Sequence, residues 1–471
     1  MNVSVQNSRV RLRLLELLVG CALVCEARAG TPMSADQAVA LAMKQNPEIA
    51  IARKQLEAAR GGVVEARSGY LPSVVASGLY RKRERQESSR LRTDDYNASA
   101  RVVQNIYTGG AVGAQMSIAR LIEEKRALEL QVMEDRVAMD VRVAFYDVLL
   151  NRAKRGVREQ SVHVLEDELK AQRERLAAGL VGELNVHRAE VALANEEPEL
   201  VDAETRLQNS RLQLATLLGI ESPPGYAASA VDPSGELRYR GYHPDLKECL
   251  AHADAERPEI KAREIDVAIE EAQLRLDASE TKPHVDVFSG YEMYSELDPD
   301  VGPEFNHGYV VGLNANWHVF DGFATRGRMQ ATRARRDAAK LALEAARASV
   351  VTDVRSAFLD LDQAQRTLEA ETKSVVDADQ SLEIAKANLA AGLGTQLDVL
   401  QAANDVTRTR TTRLSAIYLH NVALARLARA TARGPEALGF GRTAERKADE
   451  GASRQVFDLA KPPATIANEG R

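Results

Sequence analysis

Asp398 and Asn185 stand at equivalent places in a sequence motif that occurs twice. The segment RLAAGLVGELNVHRAEVA begins at Arg175, and NLAAGLGTQLDVLQAAND begins at Asn388. The two segments align without a gap, and Asp398 occupies the position of Asn185 in the first copy. A carboxylate in the first turn of a helix accepts hydrogen bonds from free backbone N–H groups and interacts favourably with the helix dipole. The motif therefore predicts a capping or first-turn role for Asp398. Asn185 carries no charge, so it cannot interact with the helix dipole in the same way.

Catalytic motifs are missing from the sequence. It contains no HExxH, GxxxxGK[ST] or GxSxG motif, and no two of its eight histidines are spaced i, i+4 for metal binding. The lone GLG at Gly392–Gly394 lacks the third glycine of a nucleotide-binding loop. The sequence therefore predicts no catalytic residue, no cofactor and no metal site, which makes a hydrolase the least favoured function.

The turn motif is one part of a larger internal duplication. Sequence echoes recur at spacings of 211 to 213 residues, so the chain consists of two copies of one structural unit. The main pairs are NPEI at Asn46 with RPEI at Arg257, LPSV at Leu71 with KPHV at Lys282, NIYTGG at Asn105 with HVFDGF at His318, and AFYDVL at Ala144 with AFLDLD at Ala357.

The duplication sets the predicted domain boundaries. We predict repeat 1 at residues 30–220 and repeat 2 at residues 241–433. A linker at residues 221–240, rich in Pro and Gly, joins them, and residues 434–471 form a C-terminal tail. Each repeat is expected to begin with one helix of about 30 residues, Ala35–Arg67 and later Asp245–Ser279.

Very long helical hairpins are the clearest structural signal, predicted at residues 109–218 and 322–432. The segment from Arg328 to Ala391 has no Gly and no Pro, so it can form a rod of roughly 96 Å at 1.5 Å per residue. Its large apolar residues recur every seven positions, with mostly alanine three residues after each, which predicts close coiled-coil packing. The large residues are Val354, Leu361, Leu368, Val375, Leu382 and Leu389.

Four segments are predicted to be β-strands, near residues 72–82, 95–106, 284–294 and 308–320. The last is the clearest, because apolar and mostly polar residues alternate from Tyr309 to Phe320. Its length suits a membrane-spanning strand, and the windows 70–107 and 284–320 hold the only Trp and seven of the twelve Tyr, as an aromatic girdle requires. Since four strands cannot close a barrel and open edges are costly in lipid, several chains should share one; three chains give twelve strands.

Residues 1–29 are predicted to be a secretory signal peptide, with a basic start, an apolar stretch and ARA before Gly30. The rival motif LVGC, ending at Cys21, resembles a lipoprotein cleavage box, so lipidation of Cys21 stays open. The formal net charge of −6 argues against a nucleic-acid partner. No later stretch approaches 18 apolar residues, so no transmembrane helix is expected.

Taken together, these residues resemble the outer-membrane efflux proteins, the TolC-like family. The resemblance covers about residues 34–433 and rests on the doubled order strand, strand, long helix, turn, helix. It also rests on YTGG at Tyr107, FDGF at Phe320 and AGLGTQLDVL at Ala391. It implies a mainly α fold with a β-barrel: a trimeric channel-tunnel with a twelve-stranded outer-membrane barrel, four strands per chain, and a long α-helical coiled-coil barrel in the periplasm.

The resemblance also implies a second role for the duplicated turns. In the family they form hairpin tips at the periplasmic mouth, where carboxylates just after the second turn surround the constriction. Asp398 matches the first such position, and Gln401 stands where a second Asp often occurs. The pore-constriction candidates are therefore Asp398, Gln401 and Asn185, the uncharged counterpart of Asp398.

The implied function is a passive exit duct of a tripartite export system, for small-molecule efflux or type I protein secretion. The implied partners are two further copies of the chain in a homotrimer, a periplasmic adaptor protein, and an inner-membrane pump or ABC exporter. The implied location is the cell outer membrane, extending into the periplasm. An alternative is a periplasmic adaptor or coiled-coil structural protein of such a machine, although an adaptor normally has one hairpin flanked by β-rich domains.

Overall fold

A computed structural model describes residues 32–84, 92–220, 232–298 and 302–433. The predicted signal peptide, Cys21 and the tail at 434–471 lie outside the described residues. The part of the linker at 221–231 lies outside them too.

The described chain is mainly helical and repeats one order of elements. In the first repeat these are β1 (Pro32–Met33), α1 (Ala35–Gln45), α2 (Pro47–Ser68), β2 (Ser73–Glu84), β3 (Arg92–Tyr107), α3 (Ala111–Ala177) and α4 (Glu183–Leu217). In the second they are β4 (Asp232–Pro233), α5 (Leu246–Glu256), α6 (Pro258–Ser279), β5 (His284–Asp298), β6 (Gly302–Asn316), α7 (Ala324–Ala390) and α8 (Gln396–Ala430).

The prediction of one helix of about 30 residues at the start of each repeat is wrong. The first breaks at Asn46, which is extended (φ −62°, ψ 128°), because the ring of Pro47 disfavours a helical residue before it. The Asn46 side chain then accepts hydrogen bonds from the backbone N–H groups of Glu48 at 2.8 Å and Ile49 at 3.3 Å, which starts α2. Arg257 before Pro258 interrupts the second copy in the same way.

Four long strands form one antiparallel sheet in the order β2-β3-β5-β6. The strand predicted at 308–320 instead runs from Gly302 to Asn316. Beyond it, the Val319 N–H donates to the Trp317 carbonyl oxygen at 3.1 Å, and this tight bend ends the strand although the residues still alternate. The predicted linker also contains β4, which pairs in parallel with β1.

The heptad seam of α7 is buried from Val354 to Ala378 as its spacing predicts, whereas Leu382 and Leu389, nearer the tip, are only half-buried. The alternation of large and small residues lets α7 and α8 pack as an antiparallel hairpin, and α3 and α4 pack likewise. The buried seam residues of α7 are Val354, Ala357, Leu361, Ala364, Leu368, Val375 and Ala378.

The short helices bury equivalent positions in both repeats. Ala38 and Ile49 lie in a core formed with α3 and α4, and their counterparts Cys249 and Ile260 lie in a core formed with α7 and α8. The two long hairpins also touch each other, because Thr407 on α8 donates a hydrogen bond to Ser161 on α3 at 3.2 Å. The repeats therefore form one continuous bundle rather than two separate bodies.

The second helix of each hairpin ends in the same hydrogen-bonded motif, but with different residues. After α4 the left-handed position is Gly219 (φ 70°), whereas after α8 it is Ala432 (φ 52°). Each donates its N–H to a carbonyl three residues back, Thr216 and Arg429 respectively. Alanine pays a steric cost in this conformation that glycine avoids.

We predict opposite effects for the two reciprocal substitutions. Ala432→Gly should raise the free energy of unfolding by about 1 kcal/mol, because it removes left-handed strain. Gly219→Ala should lower it by more than about 1 kcal/mol, because the new Cβ would lie 2.5 Å from the Gln45 carbonyl oxygen. Chemical denaturation followed by far-UV circular dichroism measures both, and equal effects of the same sign would contradict this account.

Candidate functional site

The two hairpin tips are built by the same backbone device. Gly179 (φ 69°) follows α3 and Gly392 (φ 73°) follows α7, both in the left-handed conformation. The next residue at each tip, Leu180 or Leu393, donates its N–H back into the last turn of the helix at 2.9 and 2.8 Å. Both leucine side chains are largely exposed. Each tip therefore presents an apolar side chain on a tightly bonded turn.

Asp398 caps α8 through reciprocal hydrogen bonds with Thr395. The Thr395 N–H and hydroxyl each donate to Asp398 Oδ2 at 2.8 Å, and the Asp398 N–H donates to Thr395 Oγ1 at 3.3 Å. This is a capping box, with an aspartate in place of the usual glutamate. These hydrogen bonds from Thr395 lower the pKa of Asp398, because they favour its charged form.

Asp398 forms a capping box and Asn185 does not, because the residue three positions earlier differs between the two repeats. The residue before α4 is Gly182, which has no side chain to accept a bond from the Asn185 N–H. That N–H instead donates to the Gly182 carbonyl oxygen at 3.1 Å. The reciprocal box cannot form in the first repeat, so an acidic side chain has no hydroxyl partner there. The capping role expected from the sequence is therefore present at Asp398.

The structure joins the two tips through a residue that the sequence did not single out. Gln396, the first residue of α8, is buried, and its Nε2 donates to the Asn185 carbonyl oxygen at 3.0 Å. Asn185 thus contributes its backbone to the contact between hairpins. A glutamine at a helix start is an ordinary surface residue by sequence, so only the packing reveals this bond.

Asp398 and Gln401 are exposed, and their spacing of three residues puts them on the same side of α8. Asn185 is half-buried. Asp398 is also the only carboxylate between Glu383 and Asp405 in the sequence. It therefore dominates the local charge of the second tip while it caps the helix.

The four-stranded sheet at the other end of the hairpins has two chemically different faces. Directly paired residues lie on the same face of a sheet, so the strand register assigns each side chain. One face, the apolar sheet face, is mostly exposed although its side chains are mostly apolar, the exceptions including Gln104, Ser289 and His307. It carries Val74, Ala76, Tyr80, Tyr96, Val102, Val287, Tyr291, Met293, Tyr309, Val311, Leu313 and Ala315.

The opposite face is mixed: it carries Val75, Leu79 and Tyr294 together with charged and amide side chains, several of which pair with one another. Arg101 on β3 forms an ion pair with Glu292 on β5, and its guanidinium carbon lies 5.4 Å from the centre of the Phe288 ring. Nearby, Asn314 donates to Asp286 at 3.2 Å. Exposed apolar side chains on one face and paired polar groups on the other are the pattern of a strand wall between lipid and water.

Within the described ranges, no group of three or more His, Cys, Asp or Glu side chains is arranged to hold a metal ion. Among the helices there, none is both long enough and apolar enough to cross a membrane.

Solved structures with the same fold are outer-membrane channels. The channel OprN superposes with a TM-score of 0.73 at 18% identity, covering 85% of this chain and 90% of that one. The outer membrane protein VceC of Vibrio cholerae gives a TM-score of 0.71 at 18% identity, covering 84% and 95%. Long paired helices that carry a four-stranded sheet are thus the fold that the chain shares with these channels.

The sequence comparison identifies the family. The family model for outer membrane efflux proteins matches residues 38–220 and 250–433, one segment in each repeat. The chain therefore belongs to the outer membrane efflux protein family, whose members are outer-membrane channel components of efflux and secretion systems and are not enzymes. The TolC-like resemblance is confirmed, and the alternative of a periplasmic adaptor has no support from these comparisons.

Individual relatives match along most of their length. Protein CyaE of Bordetella pertussis is 26% identical over 399 residues, which cover 84% of this chain and 83% of that protein. The cobalt-zinc-cadmium resistance protein CzcC of Cupriavidus metallidurans is 23% identical over 383 residues, covering 81% and 86%.

The capping box predicts how the start of α8 responds to substitution. Asp398→Asn should speed amide hydrogen exchange in the first turn of α8, because a neutral amide accepts the Thr395 bonds more weakly. Since the folded pKa is lowered, the carboxylate stabilises the turn at neutral pH, and this contribution disappears only as the pH falls through the lowered pKa. Hydrogen exchange with mass spectrometry measures the effect. In the control, Asn185→Ala, the first turn of α4 should exchange as in the wild type.

Proposed function

We propose that the chain forms a homotrimeric, passive exit duct of a tripartite export system, for small-molecule efflux or type I protein secretion. The observation that carries this proposal is the apolar sheet face, because large exposed apolar side chains on a membrane protein require lipid or another chain to cover them. Lipid contact on that face leaves the paired polar face toward water. A wall with this polarity suits an aqueous path through the membrane.

The strand edges support the trimer. In the described chain β2 pairs only with β3 and β6 only with β5, so both ends of the sheet leave unpaired backbone groups. Unpaired N–H and C=O groups are costly in lipid, and pairing β6 of one chain with β2 of the next satisfies both edges. Three chains then give the twelve strands of one barrel, which is large enough to enclose an aqueous path.

The helices support the periplasmic part of the duct. With 67 residues each, α3 and α7 are about 100 Å long, so their tips lie far from the sheet. We propose that the exposed Leu180 and Leu393 at the tips contact a periplasmic adaptor protein, which connects the duct to an inner-membrane pump or ABC exporter. Apolar side chains on rigid turns can pack against the apolar face of a partner helix.

At the mouth we propose that Asp398 and Gln401 line the constriction and that Asn185 lies behind it. Three symmetry-related Asp398 carboxylates near the axis would repel one another, which opposes the lowering of the pKa by the capping box. A ring of carboxylates attracts cations at neutral pH and loses this attraction when it is protonated. The same side chain would then cap the helix and filter ions.

The trimer predicts the mass of the purified protein. Analytical ultracentrifugation in detergent, with the bound detergent matched in density, should give three chains per particle. A stable monomer that keeps its β-sheet signal by circular dichroism would overturn the shared barrel, because its strand edges would then be tolerated unpaired.

The proposed mouth predicts charge-dependent conduction. In planar bilayers, Asp398→Asn should reduce cation selectivity and weaken block by multivalent cations, because it removes the ring charge but keeps the side-chain shape. Wild-type selectivity should fall as the pH is lowered towards protonation of the ring. Single-channel reversal potentials across pH measure both effects.

Two variants separate the charge from the cap. Thr395→Ala removes the hydroxyl partner but leaves the carboxylate, so it should keep the wild-type selectivity. Asn185→Ala should also keep it, since no charge is lost. If Asp398→Asn leaves reversal potential and block unchanged, or if Thr395→Ala changes them equally, Asp398 is only a capping residue.

A further inference from the structure

A segment without regular secondary structure crosses from the first repeat to the second, and we call it the strap (residues 236–243). Near its start, Leu237 is buried in the core formed with α3 and α4. Near its end, Tyr242 packs against the core formed with α7 and α8. The strap therefore joins the cores of the two repeats.

Two amide side chains of the second hairpin hold the backbone of the strap. Asn421 on α8 is buried, and its Nδ2 donates to the Arg238 carbonyl oxygen at 3.1 Å. Gln365 on α7 donates to the Tyr242 carbonyl oxygen through Nε2 at 2.8 Å. Because one donor comes from each helix of the hairpin, the strap lies closed across α7 and α8.

His420 lies on α8 beneath the strap and is fully buried. Neither of its ring nitrogens has a hydrogen-bond partner among the described residues. The ring of Tyr239 packs edge to face against the imidazole, with 4.7 Å between the ring centres, and is itself 44% exposed. Tyr239 therefore stands between His420 and solvent as part of the strap.

The fold does not require a histidine at this position. The equivalent residue of α4 is Leu207, which is buried in the core of the first repeat. A leucine there loses no hydration on burial, whereas a buried imidazole without hydrogen bonds has given up the water that solvated it. The cost is far greater for the charged imidazolium, so burial favours the neutral form of His420.

Within the described residues, no charge offsets this cost. The charged side chains at the level of His420, on the elements that pack around it, are Asp147 and Lys154 on α3, Arg238 and Arg240 on the strap, Asp360, Asp362 and Arg366 on α7, and Arg426 on α8 itself. Asp360 and Arg426 pair with each other at 3.5 Å. Burial alone lowers the pKa of His420 from its ordinary value of 6.5 to about 4.

We propose that His420 and the strap form an acid-sensitive latch between the two repeats. While the imidazole is neutral, Tyr239 and the strap stay closed over α8. When the ring gains a proton, its charge is unpaired beneath an apolar lid, and the strap opens so that water can solvate it. The open strap no longer ties the core of the first repeat to the second hairpin. The latch lies within one chain, so it depends neither on the number of chains in the barrel nor on the cargo.

The direction of the pH effect follows from the two forms of the latch. His420 has a pKa of about 4 in the closed form, and in the open form it is solvated and has its ordinary pKa of 6.5. The closed form is therefore most stable above about pH 6.5 and loses stability as the pH falls towards about 4, below which both forms are protonated. Between pH 7.5 and pH 5 the equilibrium constant for opening should rise about thirtyfold.

Proteolysis of the strap measures this opening. The full-length protein in detergent is treated with a glutamate-specific protease at pH 7.5 and pH 5, and cleavage after Glu236 is followed by mass spectrometry relative to a free peptide of the strap sequence. The relative rate should rise about thirtyfold in the wild type, because cleavage follows the open population when the strap opens and closes rapidly. His420→Leu installs the buried residue of the first repeat, so its relative rate should be equal at the two pH values. A constant rate in the wild type, or the same rise in His420→Leu, would overturn the latch.

A second measurement follows His420 itself and does not need the leucine variant. Deuterium exchange at the imidazole C2 position, read by mass spectrometry across pH, reports both the pKa and the accessibility of the ring. Tyr239→Ala removes the lid, so the pKa of His420 should rise towards 6.5 and its exchange at pH 7.5 should become faster. Tyr239→Phe keeps the ring and should exchange like the wild type. If Tyr239→Ala also exchanges like the wild type, Tyr239 is not a lid and His420 is only a core residue.

Discussion

The length of α3 and α7 is the constraint on which the rest of the structure depends. A helix of 67 residues extends beyond any globular core, so its apolar stripe can be buried only by other helices lying along it. The alternation of Leu361 with Ala357 and Ala364 lets α8 approach closely, and each fully buried leucine contributes roughly 1.5–3 kcal/mol. The antiparallel hairpins, their contact with each other and the distance between sheet and tips all follow from this requirement.

The two repeats agree in their buried positions and differ at helix ends. Ile49 and Ile260 occupy matching places in two matching cores. In contrast, Gly182 of the first repeat corresponds to Thr395 of the second, and Gly219 corresponds to Ala432. Packing tolerates little change inside the bundle, since a lost methylene leaves a cavity. The end of a helix is less constrained, because its free backbone N–H and C=O groups can be hydrogen-bonded in more than one way. The repeats could therefore diverge at the tips and at the ends of α4 and α8 while keeping one scaffold.

The pKa of Asp398 is subject to two opposing effects, one within the single chain and one in the proposed assembly. In the single chain its charge is held by Thr395, and this hydrogen bonding lowers its pKa. In the proposed trimer, mutual repulsion among three Asp398 carboxylates would raise the pKa and so act in the opposite direction. The two effects are separable by substitution because Thr395 contributes the hydrogen bonds without contributing charge.

Much of the architecture was readable from the sequence because it rests on short-range periodicity. The heptads of α7, the duplication and the order of elements all appear in residue spacing, and so does the first-turn position of Asp398. The sequence failed where a single local interaction decided the outcome. Pro47 and Pro258 divide helices whose apolar pattern runs on, and the bond from Val319 to Trp317 ends β6 while the alternation continues.

Other features were decided only by the tertiary structure. The bond from Gln396 to Asn185 joins residues 211 positions apart, and no local pattern marks either as a contact. The two faces of the sheet depend on the pairing of β3 with β5, a register between repeats that neither strand specifies alone. The left-handed backbone of Phe323, the residue before α7, is likewise seen only in the structure, as a φ of 70°. Local periodicity determines which elements form and which side of each is apolar, whereas the contacts between distant elements depend on how the two repeats pack together.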